Sequence, residues 1–91
     1  MLAPETLVAR WEAAYRRYTE ATRLAGRANA GDRAAAETLA STSRQVATTW
    51  RDIATTVVLP WWVLAALRAA AEAFEAQARS WHTRATDSIS N

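Results

Sequence analysis

Few residues in this chain are of the types that carry out chemistry, and their spacing favours no reaction. Cysteine is absent and His82 is the only histidine. Ser80, His82 and Asp87 are the residue types of a hydrolytic triad, but residues two apart on a helix do not face each other. Asp87 also falls in a segment that we expect to be frayed. The sequence therefore predicts no catalytic residues and no enzymatic activity.

Candidate ligands for a metal or a cofactor are equally few. Glu72 and Glu75 are three residues apart and could share one helix face. A di-metal centre in a helical bundle also needs Glu-x-x-His motifs on further helices, and the chain contains none. Haem bound through His82 would need a second ligand and a wider pocket than an alanine-lined seam provides. We predict no metal and no cofactor.

The basic residues offer one local cluster. All of the basic side chains are arginines, and the net charge of +2 is too small to indicate a polyanion partner. Arg23, Arg27 and Arg33 gather around the first predicted connection and are candidate contacts for an anion or an acidic partner. Arg23 and Arg27 also complement the negative carboxyl end of a helix. Nucleic acid is therefore not the favoured partner.

Apolar residues recur with alternating steps of three and four along three segments, the spacing of one face of an α-helix. The pattern predicts helices at about 4–28, 33–58 and 60–86, with a frayed tail at 87–91. Pro4 and Pro60 suit first turns, and Asp32 suits an N-cap. The three stripes are Leu7, Trp11, Ala14, Tyr18, Ala21 and Ala25; Leu39, Ser43, Val46, Trp50, Ile53 and Val57; and Val63, Leu67, Ala70, Phe74, Ala78, Trp81 and Ala85.

Three long helices with short connections predict an all-α fold, an elongated antiparallel (up-down-up) three-helix bundle that makes one domain of residues 1–91. A chain of this length builds only a modest core, so self-association is plausible. Four of the five tryptophans are expected at one end of the bundle, with Trp81 at the other. Trp50 is predicted to lie in the core between Val46 and Ile53.

The segment from Ile53 to Leu67 carries no charge and is interrupted by Pro60. As a helix it would reach about 22 Å, against a hydrocarbon core of about 30 Å, so we predict no membrane span. The first residues show no basic region followed by an apolar run. We expect a cytoplasmic protein, with export by a signal-free route as the alternative.

Four large apolar residues around Pro60 fall off the helix stripes: Val58, Leu59, Trp61 and Trp62. One interpretation is that they fold over the end of the bundle against Leu2, Val8 and Trp11. The other is that at least one tryptophan lies in an exposed apolar patch, which usually marks an interface.

These patterns favour a non-enzymatic helical module for protein–protein interaction or assembly that uses its tryptophan-rich end. Its partner is another protein or a second copy of the chain. We expect the contact to be made by Val58, Leu59, Trp61 and Trp62, with Trp11 and Trp50 packed beneath them. The alternative is a small secreted helical partner protein, or a phage- or plasmid-encoded regulator with weak nucleic-acid binding. If association with the partner survives high salt, the protein-interaction hypothesis is favoured. If salt weakens the association steeply, contact with nucleic-acid phosphates is favoured.

Overall fold

A computed structural model describes residues 3–29 and 31–90, and it describes side chains as far as residue 87. The described residues form three α-helices and no strand: α1 (Pro4–Ala25), α2 (Arg33–Thr56) and α3 (Trp61–Ser90). The predicted all-α class with three helices is thereby confirmed. α3 continues through Ser90, beyond the point at which the sequence predicted fraying, and nothing between Trp61 and Ser90 is a proline or a glycine.

Local residue types explain where α1 and α2 begin. Pro4 occupies the first turn of α1, where its missing N–H removes no helical hydrogen bond. Gly31 adopts φ of +86°, in the left-handed region that glycine tolerates best. The Asp32 carboxylate then accepts a hydrogen bond from the backbone N–H of Ala35 at 3.0 Å. Asp32 is therefore the N-cap that the sequence predicted.

The break between α2 and α3 is a short non-helical segment, residues 57–60, which starts with extended backbone at Val57. Val57 follows α2 with φ of −97° and ψ of 135°, which is extended backbone. The carbonyl of Pro60 accepts the N–H groups of Val63 at 3.1 Å and Leu64 at 3.0 Å, so it starts α3. The proline ring could not continue α2 without removing a helical hydrogen bond. The chain therefore turns here with an extended backbone.

α2 lies between the other two helices. The rings of Trp11 and Trp50 contact each other, and further along Arg17 donates a hydrogen bond to Gln45. Residue numbers rise along α1 while they fall along α2 in these contacts. Arg51 and Ser43 of α2 contact Glu75 and Gln77 of α3, again in reversed order: Arg51–Glu75 and Ser43–Gln77. The described molecule measures 47 × 20 × 20 Å.

The backbones of α1 and α3 stay apart, with no described pair of their Cα atoms within 8 Å. The core therefore follows α2, whose largest fully buried side chains are Leu39, Ser43 and Val46. Alanines fill most of the remaining core, which lets α2 approach both neighbours closely. These buried alanines are Ala14, Ala21, Ala36, Ala40, Ala47, Ala71, Ala78 and Ala85.

Candidate protein-interaction surface

The turn between α2 and α3 presents four large apolar residues, which we call the corner surface: Val58, Leu59, Trp61 and Trp62. Val58 lies in the extended segment, where no helical neighbour covers it, and it is 99% exposed. Trp61 and Trp62 are the first two residues of α3 and are 80% and 63% exposed. Leu59 is half-buried. Three of these four side chains therefore face water in the described part of the chain.

The sequence left open whether the two tryptophans fold over the bundle end or stay exposed. Their exposure shows that the described residues cover neither ring. Val8 of α1, one of the residues expected beneath them, is itself exposed, and Leu2 lies outside the described residues.

Trp11 and Trp50 pair at the same end of the molecule, where α1 starts and α2 ends. Their ring centroids lie 4.9 Å apart with the planes tilted by 52°. Both residues are half-buried, so Trp50 is not the fully buried core residue that the stripe predicted. The backbones of α1 and α3 do not meet, so Trp50 is not enclosed by two helices packed against each other. The indole nitrogens of both residues are buried without a hydrogen-bond partner among the described residues.

A line of aromatic rings continues from this pair across α1 to α3. Trp11 stacks on Tyr15 at 5.3 Å, Tyr15 contacts Tyr18 at 5.8 Å, and Tyr18 meets the edge of Phe74 at 5.2 Å. Tyr15 was not predicted as part of this line, because it lies off the core stripe of α1. The spacing of Trp11, Tyr15 and Tyr18, four and three residues apart, is the signal that could have revealed this line.

Polar side chains from all three helices meet beside the aromatic line. Nε2 of Gln77 lies 2.8 Å from the hydroxyl of Tyr18 and 3.3 Å from Oγ of Ser43. Ser43 is fully buried, and Gln77 is half-buried. The bridge joins α1 to α3 where their backbones do not touch. Sequence reasoning could not find it, because a glutamine on a helix gives no periodic signal.

The arginine cluster predicted around the first connection is largely occupied by carboxylates of its own helices. Nε of Arg23 lies 3.0 Å from Oε2 of Glu20, and Nε of Arg33 lies 2.8 Å from Oε1 of Glu37. The hydrogen bond from Arg23 lowers the pKa of the Glu20 carboxyl and raises the pKa of Arg23 itself. Arg27 is exposed. Two of the three candidate anion contacts are thus already paired.

A different set of arginines lines a groove between α1 and α2 that the sequence did not indicate. Its volume is about 540 Å³, and its walls carry Arg10, Arg17 and Arg44 with a single carboxylate, Asp52. Nε of Arg17 donates to Oε1 of Gln45 at 3.1 Å, which holds the guanidinium across the groove. The groove therefore carries more basic than acidic side chains.

No group of three or more metal-binding side chains occurs in the described part of the chain. Ser80, His82 and Asp87 are all exposed.

Within residues 3–29 and 31–90, no helix is both long enough and apolar enough to cross a bilayer. Comparison with protein-family models, with curated proteins and with solved structures finds no match.

Proposed function

We propose that this chain is a non-enzymatic interaction or assembly module, an up-down-up antiparallel helical bundle that contacts another protein through its corner surface. The observation that carries the proposal is the exposure of Trp61 and Trp62, at 80% and 63%, beside a fully exposed Val58. A cytoplasmic location stays a prediction.

The size of this patch supports the proposal. Two indoles exposed to this extent present on the order of 300 Å² of mostly apolar surface to water. The largest apolar patch on a typical monomer is about 300–600 Å² and is often functional. Tryptophan is also among the residues most enriched at the energetic centres of protein interfaces. Apolar residues that are exposed one at a time need no functional explanation. Val58, Trp61 and Trp62 are instead three exposed apolar residues within five positions.

The corner surface is also held in place before any partner arrives. Trp61 and Trp62 lie on the first turn of α3, which is fixed by hydrogen bonds to the carbonyl of Pro60. Arg51 of α2 binds both carboxylate oxygens of Glu75, at 2.7 and 2.6 Å, and so ties α2 to α3. A preorganised contact surface loses less conformational entropy on binding.

Glutamate substitutions separate contact from folding. Trp61→Glu and Trp62→Glu should keep the helical circular dichroism signal and weaken association about thirtyfold or more, because central interface tryptophans often contribute 2 kcal/mol or more. Leu24→Glu is the matched control, because Leu24 is 51% exposed and lies near the carboxyl end of α1, at the end of the molecule away from the corner surface. If all three variants associate like the wild type, or all three weaken association equally, the corner surface is not the contact site.

A second candidate function, weak binding of a polyanion, is favoured by the groove that holds Arg10, Arg17 and Arg44. Arginine binds phosphate through two parallel hydrogen bonds. Each phosphate contact steepens the fall of affinity with rising salt concentration, whereas salt does not weaken apolar contact in this way. Arg17→Gln together with Arg44→Gln should abolish binding to single-stranded DNA if this function is real. Unchanged binding in that variant would exclude it.

A further inference from the structure

The geometry points to a second copy of this chain as the partner, docked antiparallel along the outer face of α3 so that each corner surface contacts the far end of the other α3. The inference rests on the proposed function and names its partner. It assigns contacts to Arg68, Glu72 and Arg79 of α3, all of which are exposed.

The outer face of α3 is uncharged for five turns. It lies opposite the face that packs on α2 through the buried Ala71 and Ala78. At 100° per residue, Trp62 and Ser80 fall on one line of the helix, with four exposed alanines between them. The members of this outer row are Trp62, Ala66, Ala69, Ala73, Ala76 and Ser80, separated by four, three, four, three and four residues.

A charged row runs beside the outer row on the flank of α3. It contains Trp61, Arg68, Glu72 and Arg79, separated by seven, four and seven residues, and all four are exposed. Both rows therefore have spacings that read the same in either direction, the outer row about residue 71 and the charged row about residue 70. Two identical helices packed antiparallel about a two-fold axis beside residues 70 and 71 place each residue within about one position of the one that mirrors it.

This arrangement pairs opposite charges. In an antiparallel helix pair related by a two-fold axis, each flank lies beside the same flank of the other copy. Arg68 of one copy would therefore lie beside Glu72 of the other, and each pair occurs twice. Arg79 of one copy would reach the exposed ring of Trp61 in the other, where a guanidinium is attracted to the face of an indole. The surface is electrostatically complementary to itself, which argues for a second copy over an unrelated partner.

Side-chain size fits the same arrangement. Ala69 and Ala73 lie nearest the two-fold axis, where small side chains allow the helix axes to approach to about 8 Å. Trp61 and Trp62 lie about 13 Å from that point along the helix, where two crossing helices have diverged enough to hold indole rings. Each corner surface is thus buried at an end of the interface, and its tryptophans cover the outer row of the other copy.

Disulfide trapping tests the register directly, because the chain contains no cysteine of its own. Ala66 and Ala76 are exposed and occupy mirrored positions in the outer row. Under mild oxidation by glutathione disulfide, a mixture of Ala66→Cys and Ala76→Cys should form a crosslinked pair of unlike chains. Each variant alone should crosslink far less, since its two cysteines would be about 15 Å apart along the helix. Efficient crosslinking by either variant alone, or none in the mixture, overturns the register.

Charge reversal gives an independent readout. Arg68→Glu alone and Glu72→Arg alone should each self-associate about tenfold more weakly, because both pairs become repulsive. Mixing the two variants should restore association, since every pair is then attractive. Absence of restoration contradicts the pairing. Circular dichroism of each variant checks that the fold is kept.

Molar mass by light scattering separates failure of this inference from failure of the proposed function. The wild type should rise from one chain towards two as its concentration increases from about 1 µM to about 1 mM, the range over which a moderate interface forms. A chain that stays monomeric throughout overturns the second copy as partner, while the corner surface stays available to another protein. Association that persists unchanged in Trp61→Glu and Trp62→Glu overturns the proposed function itself.

Discussion

Nε2 of Gln77 lies 2.8 Å from the hydroxyl of Tyr18, and this hydrogen bond joins α3 to α1 where no described Cα atoms of the two helices come within 8 Å. The same amide group reaches the buried Oγ of Ser43 on α2. One side chain therefore links all three helices. Tyr18, which takes part in this bridge, also makes an edge-to-face ring contact with Phe74 of α3. The position of α1 relative to α3 depends on these side chains, because backbone packing does not set it.

Gln77→Ala should lower the free energy of unfolding by about 1–3 kcal/mol, because it leaves the fully buried Ser43 hydroxyl without this donor. Gln45→Ala is the matched control, since Gln45 is an exposed helical glutamine whose partner Arg17 is also exposed. It should change stability by no more than about 0.5 kcal/mol. Urea denaturation measures both, and equal effects at the two positions would contradict the bridging role of Gln77.

Trp50→Ala should destabilise the fold by about 3 kcal/mol, near the lower end of the range for tryptophan truncation, because the ring is half-buried against Trp11. Trp50→Phe keeps an aromatic ring beside Trp11 and removes the buried N–H that lacks a partner. It should therefore lose much less stability than the alanine variant. Chemical denaturation of both variants checks this order, and a wild-type midpoint for Trp50→Ala would show that the Trp11–Trp50 contact contributes little.

Acid should weaken the link between α2 and α3. The hydrogen bonds from Arg51 hold the pKa of the Glu75 carboxyl below its ordinary value of 4.5. The folded state thus binds this proton less readily than the unfolded state, and the ion pair adds stability above the ordinary pKa. That contribution is lost as the pH falls below about 4.5 and through the folded-state pKa.

Glu75→Gln isolates this effect. The variant should be less stable than the wild type at neutral pH, and the gap between them should narrow as the pH falls from about 5 to about 3. Denaturation midpoints across this range are the measurement. Glu20, whose pKa is lowered by Arg23, titrates in the same direction in both proteins and so cancels from the comparison. A gap that stays constant with pH would show that the Arg51–Glu75 pair is not the source.

Local sequence signals located the three helices and the N-cap of α2, but the predicted helix ends at 28, 58 and 86 differ from the observed ends at Ala25, Thr56 and Ser90. Asp32 and Pro60 act where their chemistry predicts, and the spacing of apolar residues located all three helices. Periodicity describes one helix at a time, however, and does not say how its neighbours are placed around it. The backbones of α1 and α3 stay apart, and Trp50 is only half-buried. For that reason neither outcome could be read from the stripes.

The corner surface is a second case in which the spacing of apolar residues did not determine the structure. The sequence identified Val58, Leu59, Trp61 and Trp62 as residues that the core stripes do not hold, but such residues can either cap a bundle end or face water. The end of α2 in extended backbone at Val57 and the start of α3 at Trp61 accompany the observed exposure of Val58, Trp61 and Trp62. The groove arginines were missed because Arg10, Arg17 and Arg44 come together only when α1 packs on α2.

The melting temperature of Trp62→Glu, compared with that of Leu24→Glu, tests most directly whether the corner surface is a contact surface or part of the core. Both positions are exposed in the isolated chain, so each variant should melt within about 4 °C of a wild type held at a concentration too low to associate, the shift expected for about 0.5 kcal/mol in a domain of this size. A glutamate forced into a covered bundle end would instead cost several kcal/mol. A fall of more than about 15 °C in Trp62→Glu, with Leu24→Glu unchanged, would contradict the account.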